Sequence, residues 1–224
     1  MNRSTYRKVH DVIFYSRILI SHLTRQFRYG KDLKAHCAGK SALLLNIGCG
    51  ELTNNGWVNI DYVAIPGKSF YFDALDPLPL VDSSVRHIHC EHFLEHLEHS
   101  DAVTFLNQCH RVLQSGGTMR VIVPDAERYM RAYVENDRAF FERLADLGGA
   151  KEPLRPKNLV YNQMFRMGGA HRFAWDFESL EAAARCAGFS EVRSSSHNDV
   201  EPVYSIDGQE WWRPFESLYA NLHK

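Results

Sequence analysis

The 224-residue chain is short of several things. Its five cysteines (Cys37, Cys49, Cys90, Cys109 and Cys186) are odd in number, scattered, and include no C-x-x-C pair. That excludes a disulfide framework or a zinc knuckle and fits a reducing, cytoplasmic compartment. No secretory apolar segment opens the chain, and no apolar run approaches the ~20 residues of a membrane span. The formal net charge is only -1, so nothing draws the whole chain to nucleic acid. Disorder is excluded too, because 45% of residues are hydrophobic and can fill a core.

Charge is unevenly placed. Residues 1–40 carry nine Lys and Arg against two acids, Asp11 and Asp32. This arm reads as a basic amphipathic helix over Tyr6–Tyr29, stopped by Gly30. Two uses are open. It packs on the domain or on a second copy in a homodimer, or it lies on anionic lipid at the inner membrane face.

From residue 41 the pattern turns to short apolar runs bounded by glycine or aspartate. Ala42–Ile47, Trp57–Ile60, Phe70–Phe72, Val85–Cys90 and Met119–Val123 predict five strands. A helix is expected over Asp101–Leu113, ended by Gly116-Gly117, and a long one over Asp125–Leu147. Residues 150–172 read as an irregular lid or acceptor wall inserted after strand five. Asp176 should cap a helix through Ala187, with Gly188 closing it. Glu191–Ser195 and Phe215–Leu222 complete seven strands. Alternating strands and helices predict an α/β, Rossmann-like, doubly wound sheet spanning residues 41–224.

The chemistry begins where the first strand meets Gly48-Cys49-Gly50. Two glycines there allow a sharp turn and a close ligand approach. Asp61 follows the second strand and Asp73 the third. The first carboxylate can accept ribose hydroxyls and the second an adenine amino group, so the trio implies an adenosine ligand. A dinucleotide fingerprint would need a third glycine where Thr53 stands, and a helix to cradle pyrophosphate. Residues 51–56 read as a turn, which disfavours a nicotinamide cofactor.

These segments, LLLNIGCG, WVNIDY, DALDPLPLVDSSVRHIHCEHFLEHL, FLNQCHRVLQSGGTMRVIVPD, HRFAWDFESLEAAARCAGF and ESLYANLHK, resemble class I S-adenosylmethionine-dependent methyltransferases. Within that class the nearest likeness is to small bacterial proteins of the methyltransferase type-11 kind. The resemblance implies a seven-stranded sheet with its last strand antiparallel. It implies that Gly48, Cys49 and Gly50 wrap the methionine part of the cofactor, that Asp61 holds the ribose, and that Asp73, Ala74 and Leu75 frame the adenine. Asn46, Tyr62, Glu91 and His92 complete the expected cofactor set. The departure from the broad class is the missing helix between the first two strands.

Glu91–His99 is rich in histidine, and His92, Glu95 and His96 share one helical face. H-x-x-E-H matches an inverted zincin motif, but here it follows a core strand of a cofactor domain. Three readings stay open. The residues pack beneath the site, or His92 sits at the cofactor pocket while His96 or Glu95 faces the acceptor as a base, or His92, Glu95 and His96 hold a divalent ion. His171 and Asp125 are the other catalytic candidates; Asp125 also suits a helix cap. The expected reaction is O-methylation of a small molecule or a sugar or glycan precursor, releasing S-adenosylhomocysteine. The alternative is a binding module or scaffold that holds S-adenosylmethionine without turning it over. Nucleic acid is a disfavoured partner, since the body lacks a basic stripe with interleaved aromatics.

Overall fold

A computed structural model describes residues 29–145 and 157–224. The helix expected over Tyr6–Tyr29, the end of the one expected over Asp125–Leu147, and the start of the 150–172 segment lie outside them. Helix α1 (Tyr29–Cys37) includes Gly30 in its first turn.

Seven strands follow: β1 (Leu43–Ile47), β2 (Val58–Asp61), β3 (Phe70–Tyr71), β4 (Val85–Glu91), β5 (Leu113–Pro124), β6 (Glu191–Ser195) and β7 (Ser217–His223). They form one sheet in the order β3-β2-β1-β4-β5-β7-β6. The ladders from β3 through β5 are parallel, and β7 runs antiparallel to both β5 and β6. The order reverses between β1 and β4, which in an open α/β sheet opens a crevice at the strands' carboxyl ends.

Helices α2 (His99–Val112) and α6 (Phe177–Cys186) pack on one another and on the sheet. Ala102, Phe105, Leu106, Cys109 and Val112 form the buried stripe of α2 at helical spacing. Asp176 caps α6 as expected: its Oδ1 accepts the Ser179 N–H at 2.8 Å, and Ser179 Oγ answers at the Asp176 N–H. Gly188 follows with φ +105°.

Three expectations are corrected. Gly116-Gly117 does not separate helix from strand, because β5 spans both. The register jumps there, from Leu113 opposite Val85 to Thr118 opposite His87, so the glycines belong to a bulge. The single helix expected from Asp125 is two, α3 (Ala126–Val134) and α4 (Arg138–Ala145). Asn136 takes φ +58°, Asp137 N–H reaches Ala132 O, and Asn136 N–H reaches Tyr133 O. That is a Schellman turn, whose left-handed position is usually glycine and sometimes, as here, asparagine. The described part of the 150–172 segment is not irregular: it forms helix α5 (Lys157–Arg166), which joins α3 and α4 around a second apolar cluster containing Tyr129, Phe140, Phe141 and Val160.

No helix is described between β1 and β2. On β4, His87 stacks on Tyr204 at 4.1 Å, and the edge of Trp57 meets both His87 and His89. Tyr204 belongs to the β6–β7 connection, which buried ion pairs tie to the sheet. Arg120 of β5 meets Asp207 through two hydrogen bonds, 2.7 and 2.5 Å, both side chains fully buried. Arg213, in the one-turn helix α7 (Arg213–Glu216), meets Glu91 of β4 at 2.6 Å. Among the described residues, no helix is long and apolar enough to cross a membrane.

Candidate functional site

The tips of β1, β2, β3 and β4 surround one cavity of about 950 Å³. At its floor the chain leaves β1 through Gly48, φ +69°, whose N–H donates to Ile60 O at 2.9 Å. Gly50, φ +50°, donates its N–H to Asp61 Oδ2 at 2.8 Å, and Val63 N–H donates to Asp61 Oδ1 at 2.7 Å. Asp61 therefore holds the glycine turn while keeping further lone pairs for a ligand. Burial pushes its carboxyl above the ordinary aspartate range, and the Val63 and Gly50 N–H bonds pull the other way. Asp73 lies past β3 and accepts the Leu75 N–H at 3.0 Å, which fixes the turn beside the cavity.

Of the residues expected to hold a nucleoside cofactor, Gly48, Gly50, Asp61, Tyr62, Asp73, Ala74, Leu75 and His92 line the cavity. Asn46, Cys49 and Glu91 do not line it. Asn46 is buried, and its amide donates to Leu52 O and Asn59 Oδ1, both at 3.0 Å. Asn59 in turn grips Asn54, so two asparagines pin the short β1–β2 loop. The Cys49 thiol is buried beside Asp61, and burial pushes it up to about 12. Glu91 accepts from Arg213 Nη1 and from Gly208 N–H. Burial works against its charge, but the bonds from His89 and Arg213 win and hold it at about 2.

The histidine-rich stretch is not a regular helix beyond one 3-10 turn, Leu94–His96. His92 takes φ +49°; its Nδ1 stands 3.4 Å from Glu95 Oε1 and its Nε2 is 3.1 Å from Ser217 Oγ. Burial pulls that imidazole down, but Glu95 and Glu216 outweigh it and favour the cation. His96 is exposed in the cavity, with Nδ1 3.2 Å from Ala170 O. A carbonyl only accepts, so Nδ1 carries the hydrogen and Nε2 the lone pair. His171 sits buried behind it, the two rings edge to face at 4.8 Å. Asp125 is off the cavity wall: it caps α3 through the Arg128 N–H and pairs with the Arg128 side chain.

Other lining residues were not singled out as site residues beforehand: Phe72, Phe93, Leu97, Glu98 and Asp101 among them. Phe93 carried a usable signal, because it lies just past the end of β4. Arg172, the last residue of the 150–172 segment, lines the cavity and donates its N–H to Glu95 O at 2.8 Å. The wall carries five carboxylates, Glu51, Asp61, Asp73, Glu98 and Asp101, against the single guanidinium of Arg172. Such a cavity suits a cationic ligand with ribose hydroxyls and offers little to a pyrophosphate.

Residues 68–121 match the family model described as a methyltransferase domain. A solved methyltransferase from Archaeoglobus fulgidus, described as S-adenosylmethionine dependent, superposes with a TM-score of 0.51 at 16% identity, over 93% of this chain and 94% of that one. A possible histamine N-methyltransferase from Thermotoga maritima gives 0.49 at 19% identity, over 95% and 96% of the two chains. The 1,6-didemethyltoxoflavin-N1-methyltransferase of Burkholderia thailandensis, solved with S-adenosylhomocysteine, gives 0.46 at 14% identity, over 100% and 91%. No curated protein sequence matches the chain.

Proposed function

We propose that the chain is a class I S-adenosylmethionine-dependent methyltransferase that methylates a hydroxyl of a small molecule or of a sugar or glycan precursor; its fold and its matched segment support this reading. One observation carries this reading. A single cavity joins the Gly48–Gly50 turn, Asp61 and Asp73 to an exposed imidazole, His96.

The sulfonium donor arrives activated, so the chain's own task is to bind, align and take a proton. Gly48 and Gly50 admit the methionine part of the donor, and Asp61 accepts from the ribose. Asp73, Ala74 and Leu75 border the adenine. His96, its Nδ1–H held by Ala170 O, presents Nε2 to the acceptor hydroxyl. As the new C–O bond forms, the C–S bond breaks and the hydroxyl proton passes to Nε2. The acidic wall complements a sulfonium cation and is relieved of no charge by a phosphate.

The test is a titration with S-adenosylmethionine and S-adenosylhomocysteine, followed by a product screen over phenols, nucleotide sugars and glycans. Asp61→Ala should weaken cofactor binding by about 10-fold or more, as expected for losing a charged hydrogen-bond acceptor. Equal affinity in Asp61→Ala and wild type would sink the assignment. Tight cofactor binding with no release of S-adenosylhomocysteine for any acceptor would favour the binding-module alternative.

A further inference from the structure

We infer that Glu95, His96 and His171 form a binding site for one divalent transition-metal ion at the edge of the cofactor cavity. Each residue offers a ligand atom, and these atoms lie within 4.8 Å of one another. His171 comes from 75 positions further along the chain, and it replaces His92 in the set that the H-x-x-E-H spacing suggested.

The case rests on what these groups lack. Glu95 is 2% exposed, and no hydrogen bond reaches either carboxylate oxygen. Its nearest cation, His92 Nδ1, stands 3.4 Å from Oε1; Oε2 has no such neighbour. His92 faces Oε1, so it is the buried Oε2 that is costly unless a cation meets it. His96 commits Nδ1–H to Ala170 O. In the neutral His96 ring Nε2 is then a lone pair. Two imidazoles and a buried carboxylate converge, a donor set suited to a divalent transition metal.

The backbone keeps the three together. Arg172 N–H and Phe173 N–H both donate to Glu95 O, which docks the His171 segment on the 3-10 turn. The Ala170 carbonyl acts as the kind of outer group that fixes a ring tautomer in metal sites. Tetrahedral coordination at about 2.1 Å places ligand atoms about 3.4 Å apart, so the set must close slightly. His96, the exposed member, is the one with room to move. Two imidazoles and one carboxylate suit Zn²⁺ or Mn²⁺ and disfavour Ca²⁺. Three protein ligands leave a position open to the cavity, where an acceptor oxygen can bind.

The site stands on side chains alone, whereas its use in acceptor activation rests on the methyltransfer reading. An ion there occupies the His96 lone pair and takes over the acidification of the hydroxyl.

The experiment uses the full chain, untagged and stripped with chelator, titrated with Zn²⁺ and Mn²⁺ in a calorimeter. Wild type should bind one ion per chain. His96→Ala and Glu95→Gln should each weaken that binding by at least about 10-fold. His96 is exposed, so its variant folds, and S-adenosylmethionine titration verifies that both variants keep the cofactor cavity. No binding to wild type, or unchanged affinity in either variant, overturns the site. Cofactor binding that persists in such metal-indifferent protein leaves the methyltransfer reading standing. Loss of cofactor binding in wild type itself sinks that reading instead.

Discussion

The ring of Phe93 lies directly against the backbone of Gly48. A Cβ placed on Gly48 would come within 2.7 Å of Phe93 Cδ2, closer than real carbon atoms approach. Gly48 also holds φ +69°, in the left-handed region. Both the contact and the conformation therefore demand glycine at this strand tip. Gly48→Ala should cost about 2 kcal/mol or more, from the left-handed backbone alone and then from displacing Phe93. Because Phe93 lines the cavity, its displacement should also weaken binding of S-adenosylhomocysteine. Chemical denaturation and calorimetric titration of the variant read the two effects separately. Wild-type stability with wild-type affinity would contradict this account.

Cys49 sits between the two glycines, yet its thiol is turned inward. Burial raises it to about 12, whereas Cys186 is exposed on α6. The thiolate is the reactive form, so a high pKa and burial together make a thiol inert. Native protein should thus give one fast-reacting thiol with an aromatic disulfide reagent, lost in Cys186→Ser. The modified protein should bind cofactor as before. Rapid labelling of Cys49 would show that the turn opens far more than this packing allows.

The part of this site that could be read in the sequence is the part built by neighbours in sequence. Gly48, Gly50, Asp61 and Asp73 each end or follow a strand, and strand ends meet along one edge of a parallel sheet. Glu91 was expected beside the cofactor, but it shares a strand face with His87 and His89 and turns to Arg213. The two-residue period of a strand contains that information. Asn46 was expected in the cofactor set, while its amide is spent on Leu52 and Asn59. The pairing of His171 with Glu95 was not legible, because no local pattern links the stretch after α5 to a turn far upstream. Nor was the break at Asn136, since asparagine ends a helix only when the following N–H finds the Ala132 carbonyl.

Arg120 and Asp207 give a prediction on stability alone. Both are fully buried, and Arg120 also donates to Ser195 Oγ, Asn221 Oδ1 and Ser196 O. Arg120→Met leaves the Asp207 carboxylate without its cation and should cost about 3–5 kcal/mol. The double variant Arg120→Met/Asp207→Leu should recover much of that loss, because no charge is then stranded. Neither residue lines the cavity, so folded protein should keep its cofactor affinity. A double variant no more stable than Arg120→Met would show that hydrogen bonding, not charge, dominates at this pair.

Asp61 predicts opposite effects of acid on binding and on folding. Its carboxyl is raised above the ordinary 3.8 by burial, which outweighs the Val63 and Gly50 N–H bonds. The charged form accepts from ribose; the protonated form gives up part of that capacity. Cofactor affinity should therefore fall as pH drops through the raised value, earlier than an ordinary aspartate would allow. Folding runs the other way for this group. A carboxyl whose folded pKa lies above its unfolded one contributes stability below the unfolded value and loses it as pH rises through the folded one. Mild acid should thus loosen cofactor binding while Asp61 itself does not unfold the chain. Titrations of S-adenosylhomocysteine at descending pH, with circular dichroism on the same samples, separate the two. In Asp61→Asn, which cannot titrate, the acid dependence of affinity should flatten. If the variant keeps the wild-type slope, another group is responsible and Asp61 does not hold the ribose.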